Sequence, residues 1–194
     1  MKKLLVFAAL IAALNSAQAA SLNWSAMRIY EPGTTTGASD YVAYLFITAQ
    51  SGNFGAGITT VDAVTDLIKS GAEVVTDDDG KATGLKKGTT IIDIAGSGVT
   101  SSGKLTGATG YNGNHFGEND SLSGFAVIFD AATLAAADHY IVTDVASVSW
   151  GSSTGAKSLG FGTQANATWT AVPEPSTAAL ALAGLALLLK RRKA

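Results

Sequence analysis

Chemistry in a chain without cysteine has to come from hydroxyls, carboxylates and imidazoles; thiol nucleophiles, cysteine-bound zinc and iron–sulfur centres are excluded. Two imidazoles are present: His115, within Gly113-Asn114-His115-Phe116-Gly117, and His139, directly after Asp138. A Ser-His-Asp triad needs one of them beside an activated serine. Their surroundings read instead as a surface-loop histidine and a histidine at the start of a strand. His-Glu-x-x-His, the two-histidine signature of zinc hydrolases, does not occur. The glycine-rich stretches match neither a phosphate loop nor a dinucleotide fingerprint, so no cofactor and no metal is expected from them.

Carboxylates are more abundant. Asp77-Asp78-Asp79-Gly80 is the densest cluster, but a calcium loop counted from Asp77 would want an acid or Asn at Lys81 and Gly at Ala82. A polar hairpin tip fits better. A second oxygen-rich segment combines Asn112, Asn114, Glu118, Asn119 and Asp120 with Tyr111 and Phe116. Oxygens on a turning backbone suit calcium, and two aromatic rings suit stacking on a sugar; the bland reading is an ordinary sheet loop. Glycoside hydrolysis needs two acids ~5–10 Å apart across a cleft, and with fourteen acids in the body of the chain the residues select no pair.

The body that must position these groups is acidic. Lys2, Lys3, Lys190, Arg191, Arg192 and Lys193 sit at the two ends and Glu174 in the tail, leaving seven cations against fourteen acids in residues 20–171. That middle carries a net charge of −7, although the whole chain stands at −2. Nucleic acid is therefore not an expected partner, because phosphate contacts need cations. Peripheral binding to an anionic leaflet is disfavoured for the same reason.

Residues 20–171 read as one β-rich exported domain. Leu22 to Tyr30 alternates as a half-buried strand does, and Tyr41 to Thr48 is almost wholly apolar, as a central strand is. Thr89 to Ala95, Gly124 to Phe129, His139 to Trp150 and Ala165 to Val172 are further predicted strands. The glycine, serine and threonine runs between Gly96 and Gly110 read as turn or edge material. One helix is clear: Thr60 caps it, Val61, Val64, Leu67 and Ile68 share a face, and Gly71 ends it. Ala131 to Ala137 has the composition of a short second one. The expected architecture is mainly β, an antiparallel sandwich or jelly-roll-like domain with one or two short helices; a barrel is the weaker alternative.

Both ends carry addresses. Met1-Lys2-Lys3, an apolar run from Leu4 to Leu14 and the small residues Ala17 and Ala19 form a signal helix, residues 1–19. Cleavage is expected after Ala19, with the Sec translocon and signal peptidase as partners. Residues 172–194 form a tail: Val172, then Pro173-Glu174-Pro175, an uncharged stretch from Thr177 to Leu189, and Lys190-Arg191-Arg192-Lys193. The apolar stretch of about fourteen residues reaches ~21 Å as a helix, short of the ~30 Å bilayer core. The four cations hold that end on the cytoplasmic side. The stretch reads as a C-terminal transmembrane helix, a transient stop rather than a permanent anchor.

In the order of these parts the tail resembles the PEP-CTERM family of bacterial exported proteins, a likeness confined to residues 172–194. The resemblance implies recognition of Pro173, Glu174 and Pro175 by an exosortase, a membrane protease-transpeptidase of Gram-negative cells that make extracellular polysaccharide. It implies that Lys190, Arg191, Arg192 and Lys193 stop translocation, and that the protein passes through the inner membrane to the cell surface or matrix. It says nothing about the domain in front. The leading expectation is a non-enzymatic structural or adhesion protein; the alternatives are a carbohydrate- or calcium-binding module resting on Tyr111 to Asp120 and a small secreted hydrolase.

Overall fold

The computed structural model describes residues 20–49, 61–111, 121–149 and 155–173. Twelve strands, one α-helix and one 3₁₀ turn lie among them. The strands are β1 (Ala20–Met27), β2 (Val42–Ala49), β3 (Glu73–Thr76), β4 (Ala82–Lys87), β5 (Thr90–Asp93), β6 (Gly96–Ser101) and β7 (Lys104–Tyr111). They continue with β8 (Ser121–Phe129), β9 (His139–Val142), β10 (Ala146–Ser149), β11 (Lys157–Thr163) and β12 (Thr170–Ala171). The helix α1 spans Val61–Lys69, and the 3₁₀ turn spans Leu134–Ala136.

Nine strands form one sheet in the order β11-β1-β7-β6-β2-β8-β9-β12, with β10 also paired to β8. This sheet curls until β11 lies against β10. The other three strands make a small antiparallel sheet, β3-β4-β5. The expected antiparallel sandwich thus gives way to a curled sheet with a small one outside it, and one pair, β1–β11, runs parallel.

Burial on both faces explains why β2 is so apolar. Ala43, Leu45 and Ile47 point inside the curl, with Leu22, Trp24, Leu105, Ile128, Leu159 and Phe161. Val42, Tyr44 and Phe46 point outward, where α1 and the small sheet cover them through Val64, Leu67, Ile68, Leu85 and Ile92. β8 alternates likewise, Leu122, Ala126 and Ile128 inward and Phe125, Val127 and Phe129 outward. The rings of Phe46 and Phe125 stack at 5.4 Å across the β2–β8 pair. A short helix of nine residues is marginal alone, and this apolar face holds it in place. Gly71, at φ +80°, reverses the chain after it as the spacing predicts.

The glycine-rich region from 96 to 110 is the main departure from expectation. Apart from the tight turn at Ser102 and Gly103, both at positive φ, it forms two strands inside the sheet, β6 and β7. Their glycines make room for Trp24, which is 2% exposed. Gly107 pairs with Trp24 across β1–β7, and a Cβ there would run into the indole ring. The indole Nε1 is buried with no hydrogen-bond partner among the described residues.

The predicted strand from His139 to Trp150 is broken in two. Thr143 sits at the break: its Oγ1 accepts from the Ala126 amide at 2.9 Å and donates to the Asp144 carbonyl at 3.1 Å. A side chain thus completes the β8 ladder where the backbone leaves it. Thr143→Val keeps the volume but leaves the buried Ala126 N–H unpaired, which costs about 1–3 kcal/mol. Urea denaturation should show the loss; unchanged stability would mean that the hydroxyl carries none of the ladder. The last expected strand, Ala165 to Val172, shrinks to the two residues of β12. Ala131 to Ala137 gives only the 3₁₀ turn.

Candidate functional site

β12 is the last strand among the described residues. Thr170 pairs with Tyr140 and Ala171 with His139 in antiparallel register, and the Val172 N–H donates to the Asp138 carbonyl at 2.8 Å. Val172 packs half-buried against the outer apolar cluster, and Pro173 beside it is exposed. Just upstream, Trp169 meets Tyr41 edge-on at 5.9 Å. Burial, followed by the charges of Glu31 and Asp130, raises the Tyr41 pKa above its ordinary value, keeping the phenol neutral.

The strand that receives β12 is fixed by Asp130. One carboxylate oxygen accepts from the Asp138 and His139 amides at 2.9 and 2.8 Å, and the other accepts from His139 Nδ1 at 2.8 Å. The Asp130 side chain is 10% exposed and that of His139 40% exposed. Since Asp130 takes the Asp138 amide, the ladder toward Val172 ends in a single hydrogen bond. The sequence marks Asp130 only as an acid closing a long apolar strand, nine residues before a histidine, and so gives no warning of the pair. Asp130→Ala removes three hydrogen bonds to a charged acceptor. It is expected to lower stability by about 2 kcal/mol and to free the β12 amides; amide exchange confined to residues 138–140 and 170–172 would register it.

The other candidates scatter. Asp77 Oδ1 accepts from the Asp79 and Lys81 amides, and Gly80 sits at φ +77°, so the acid cluster closes the β3–β4 hairpin as a polar tip. No three acidic or imidazole side chains meet in a metal-holding group among the described residues. Tyr111 ends β7, with its backbone paired to Ala20. Asn112, Asn114, Phe116, Glu118, Asn119 and Asp120, with His115, lie outside the described residues. So do Ala17, Ala19 and the signal helix, and Glu174, Pro175, Lys190, Arg191, Arg192 and Lys193 with the expected transmembrane helix. No helix among the described residues is long and apolar enough to cross a membrane.

A serine spacing absent from the expectations above does occur. Gly151-Ser152-Ser153-Thr154-Gly155 has the Gly-x-Ser-x-Gly order of a nucleophile elbow. An elbow joins a strand to a helix, whereas this segment runs from β10 to β11, two strands, and all but Gly155 lies outside the described residues.

One shallow, open depression of about 450 Å³ lies on the outer face of β11, β1 and β7. Asn23, Ser25, Thr106 and Ser158 line it with amide and hydroxyl groups, and among the described residues no acid or histidine lines it.

No match is found among the curated proteins or among the solved structures. The family model of the PEP-CTERM protein-sorting motif matches residues 171–193. The match begins on Ala171, the second residue of β12, so the matched segment starts within the last described strand, and it supports an exported protein sorted by an exosortase.

Proposed function

We propose that this is a non-enzymatic component of the cell surface or extracellular matrix, delivered there as an exosortase substrate and left as the domain of residues 20–171. The match to the sorting motif at residues 171–193 carries this reading. The signal helix at residues 1–19 supplies the route out, through the Sec translocon and signal peptidase. Two features of the domain are compatible with a structural role in hydrated polysaccharide. Its net charge of −7 disfavours collapse onto anionic surfaces. The open face around Asn23, Ser25, Thr106 and Ser158 offers neutral hydrogen-bonding groups like those of a glycan.

The test is the intact mass of the protein recovered from a cell that makes the matching exosortase. The expected species begins at Ala20 and ends between Val172 and Pro175. Recovery only of chains that retain Leu180 to Ala194 would overturn the sorting step and leave a plain membrane anchor.

A further inference from the structure

Enzymes that cut or transfer a peptide chain bind it extended, and strand addition to a cleft edge is a common way to hold such a segment. The residues that would fill the near side of that cleft are Thr170, Ala171 and Val172, directly before Pro173. In the folded protein their backbone is already committed. Thr170 and Ala171 lie in register with Tyr140 and His139, the Val172 amide is bonded to the Asp138 carbonyl, and the Val172 side chain packs on the outer apolar cluster. No linker separates the fold from the motif.

We propose that Thr170–Val172 is a latch, and that the folded domain controls access to its own sorting motif by pairing this segment with β9. The proposal rests on the sorting function argued above and adds its regulation. The latch is weak by construction. Thr170 and Ala171 are exposed, Val172 is only half-buried, and Asp130 has taken the amide that would have extended the ladder. It is bounded as well: Trp169, seated against Tyr41, and the Gln164 amide, bonded to the Met27 carbonyl at 2.8 Å, hold the chain upstream. Opening therefore releases about three residues, the edge strand β12, and leaves the rest of the curled sheet intact. Local openings of this kind span the range from near zero to the global stability, and short, exposed edges fall at the low end.

The absence of cysteine allows a direct test. Ala171 and His139 face each other at a position that makes no hydrogen bonds between β9 and β12, because Val172 and Asp138, the next pair, are the bonded one. Such pairs bring Cα atoms to ~4.5 Å, within disulfide reach. The double variant A171C/H139C, oxidised during export, should lock the latch, while H139C alone carries the loss of the imidazole–Asp130 contact, and A171C alone the added thiol, without the cross-link. In an exosortase-producing cell the double variant is expected to keep its tail about tenfold longer than either single variant. Equal processing of double and single variants would overturn the latch while leaving the sorting function standing. Failure of the wild type and the single variants to be cut would overturn both.

Amide exchange on the purified full-length wild type reads the latch without any enzyme. The Thr170 and Val172 amides, the ones that face β9, should exchange about 100-fold faster than those of Tyr44 and Phe46 in β2, which pair with β8. Equal protection would show that the segment does not open separately, and would end the proposal even if the tail is cut.

Discussion

Replacing Gly107 by valine is expected to destabilise the protein by about 3 kcal/mol, at the upper end of what overpacking costs in a well-filled core. Two effects oppose each other at this position. Strand propensity favours valine by up to ~1 kcal/mol, and the φ of Gly107 is not in the left-handed region. Sterics oppose it more strongly, since the indole of Trp24 lies where the new Cβ would go. The ring has little room to withdraw: Gly98 lies beneath its far edge, and Leu22, Ala26 and Leu105 fill the same interior. Trp24→Leu should itself cost about 3 kcal/mol through the cavity it opens. Combined with G107V it should cost less than the sum, by at least ~1 kcal/mol, because each change relieves the other. Denaturant unfolding of the four proteins would measure the coupling. Additive losses, or a G107V protein as stable as the wild type, would show that the ring does not depend on glycine.

The same contact explains what was legible in the sequence. The run Val42 to Ile47 announced a central strand because both its faces are buried, a local signal. Leu22, Trp24 and Ala26 announced a one-sided strand by alternation, and Val64, Leu67 and Ile68 a helix by their spacing. Gly96, Gly98 and Gly107 pointed the wrong way, because glycine reads as a turn unless the partner across the sheet is known. That partner, Trp24, is more than seventy residues away. β11 was missed for a related reason: Gly160 and Gly162 punctuate Leu159 and Phe161, and its pairing is a parallel one with β1 that no local pattern encodes. The break at Thr143 was hidden by a hydroxyl substituting for a backbone acceptor.

The candidate site divides along the same line. Pro173, Glu174 and Pro175 were readable because a sorting motif is a linear pattern, and the family model matches residues 171–193. The strand expected up to Val172 is there in shortened form, but nothing linear showed which strand would receive it, or that Asp130 would brace that strand. These are products of packing between residues 130–142 and 169–172. The sorting motif is therefore a sequence signal whose access is set by the fold.

Replacing Lys190, Arg191, Arg192 and Lys193 together by serine is expected to have the largest effect on where the protein ends up. Each Lys or Arg at the middle of a membrane helix costs about 2.5–3.5 kcal/mol, so pulling all four across is opposed by about 10 kcal/mol. The apolar stretch before them, about fourteen residues long, is too short to hold the chain by hydrophobicity alone. With serine in place of the cations the tail should pass through the membrane. The protein would then be recovered outside the inner membrane at full length, with Leu180 to Ala194 still attached. Charge-conserving exchange of Lys190 and Lys193 for arginine should leave retention unchanged, and a single K190S change should do little while three cations remain. If the four-serine protein is held and cut like the wild type, the basic end has no stop-transfer role. Retention would then have to come from the enzyme's grip on Pro-Glu-Pro, and opening of the β12 latch would have to precede arrest at the membrane.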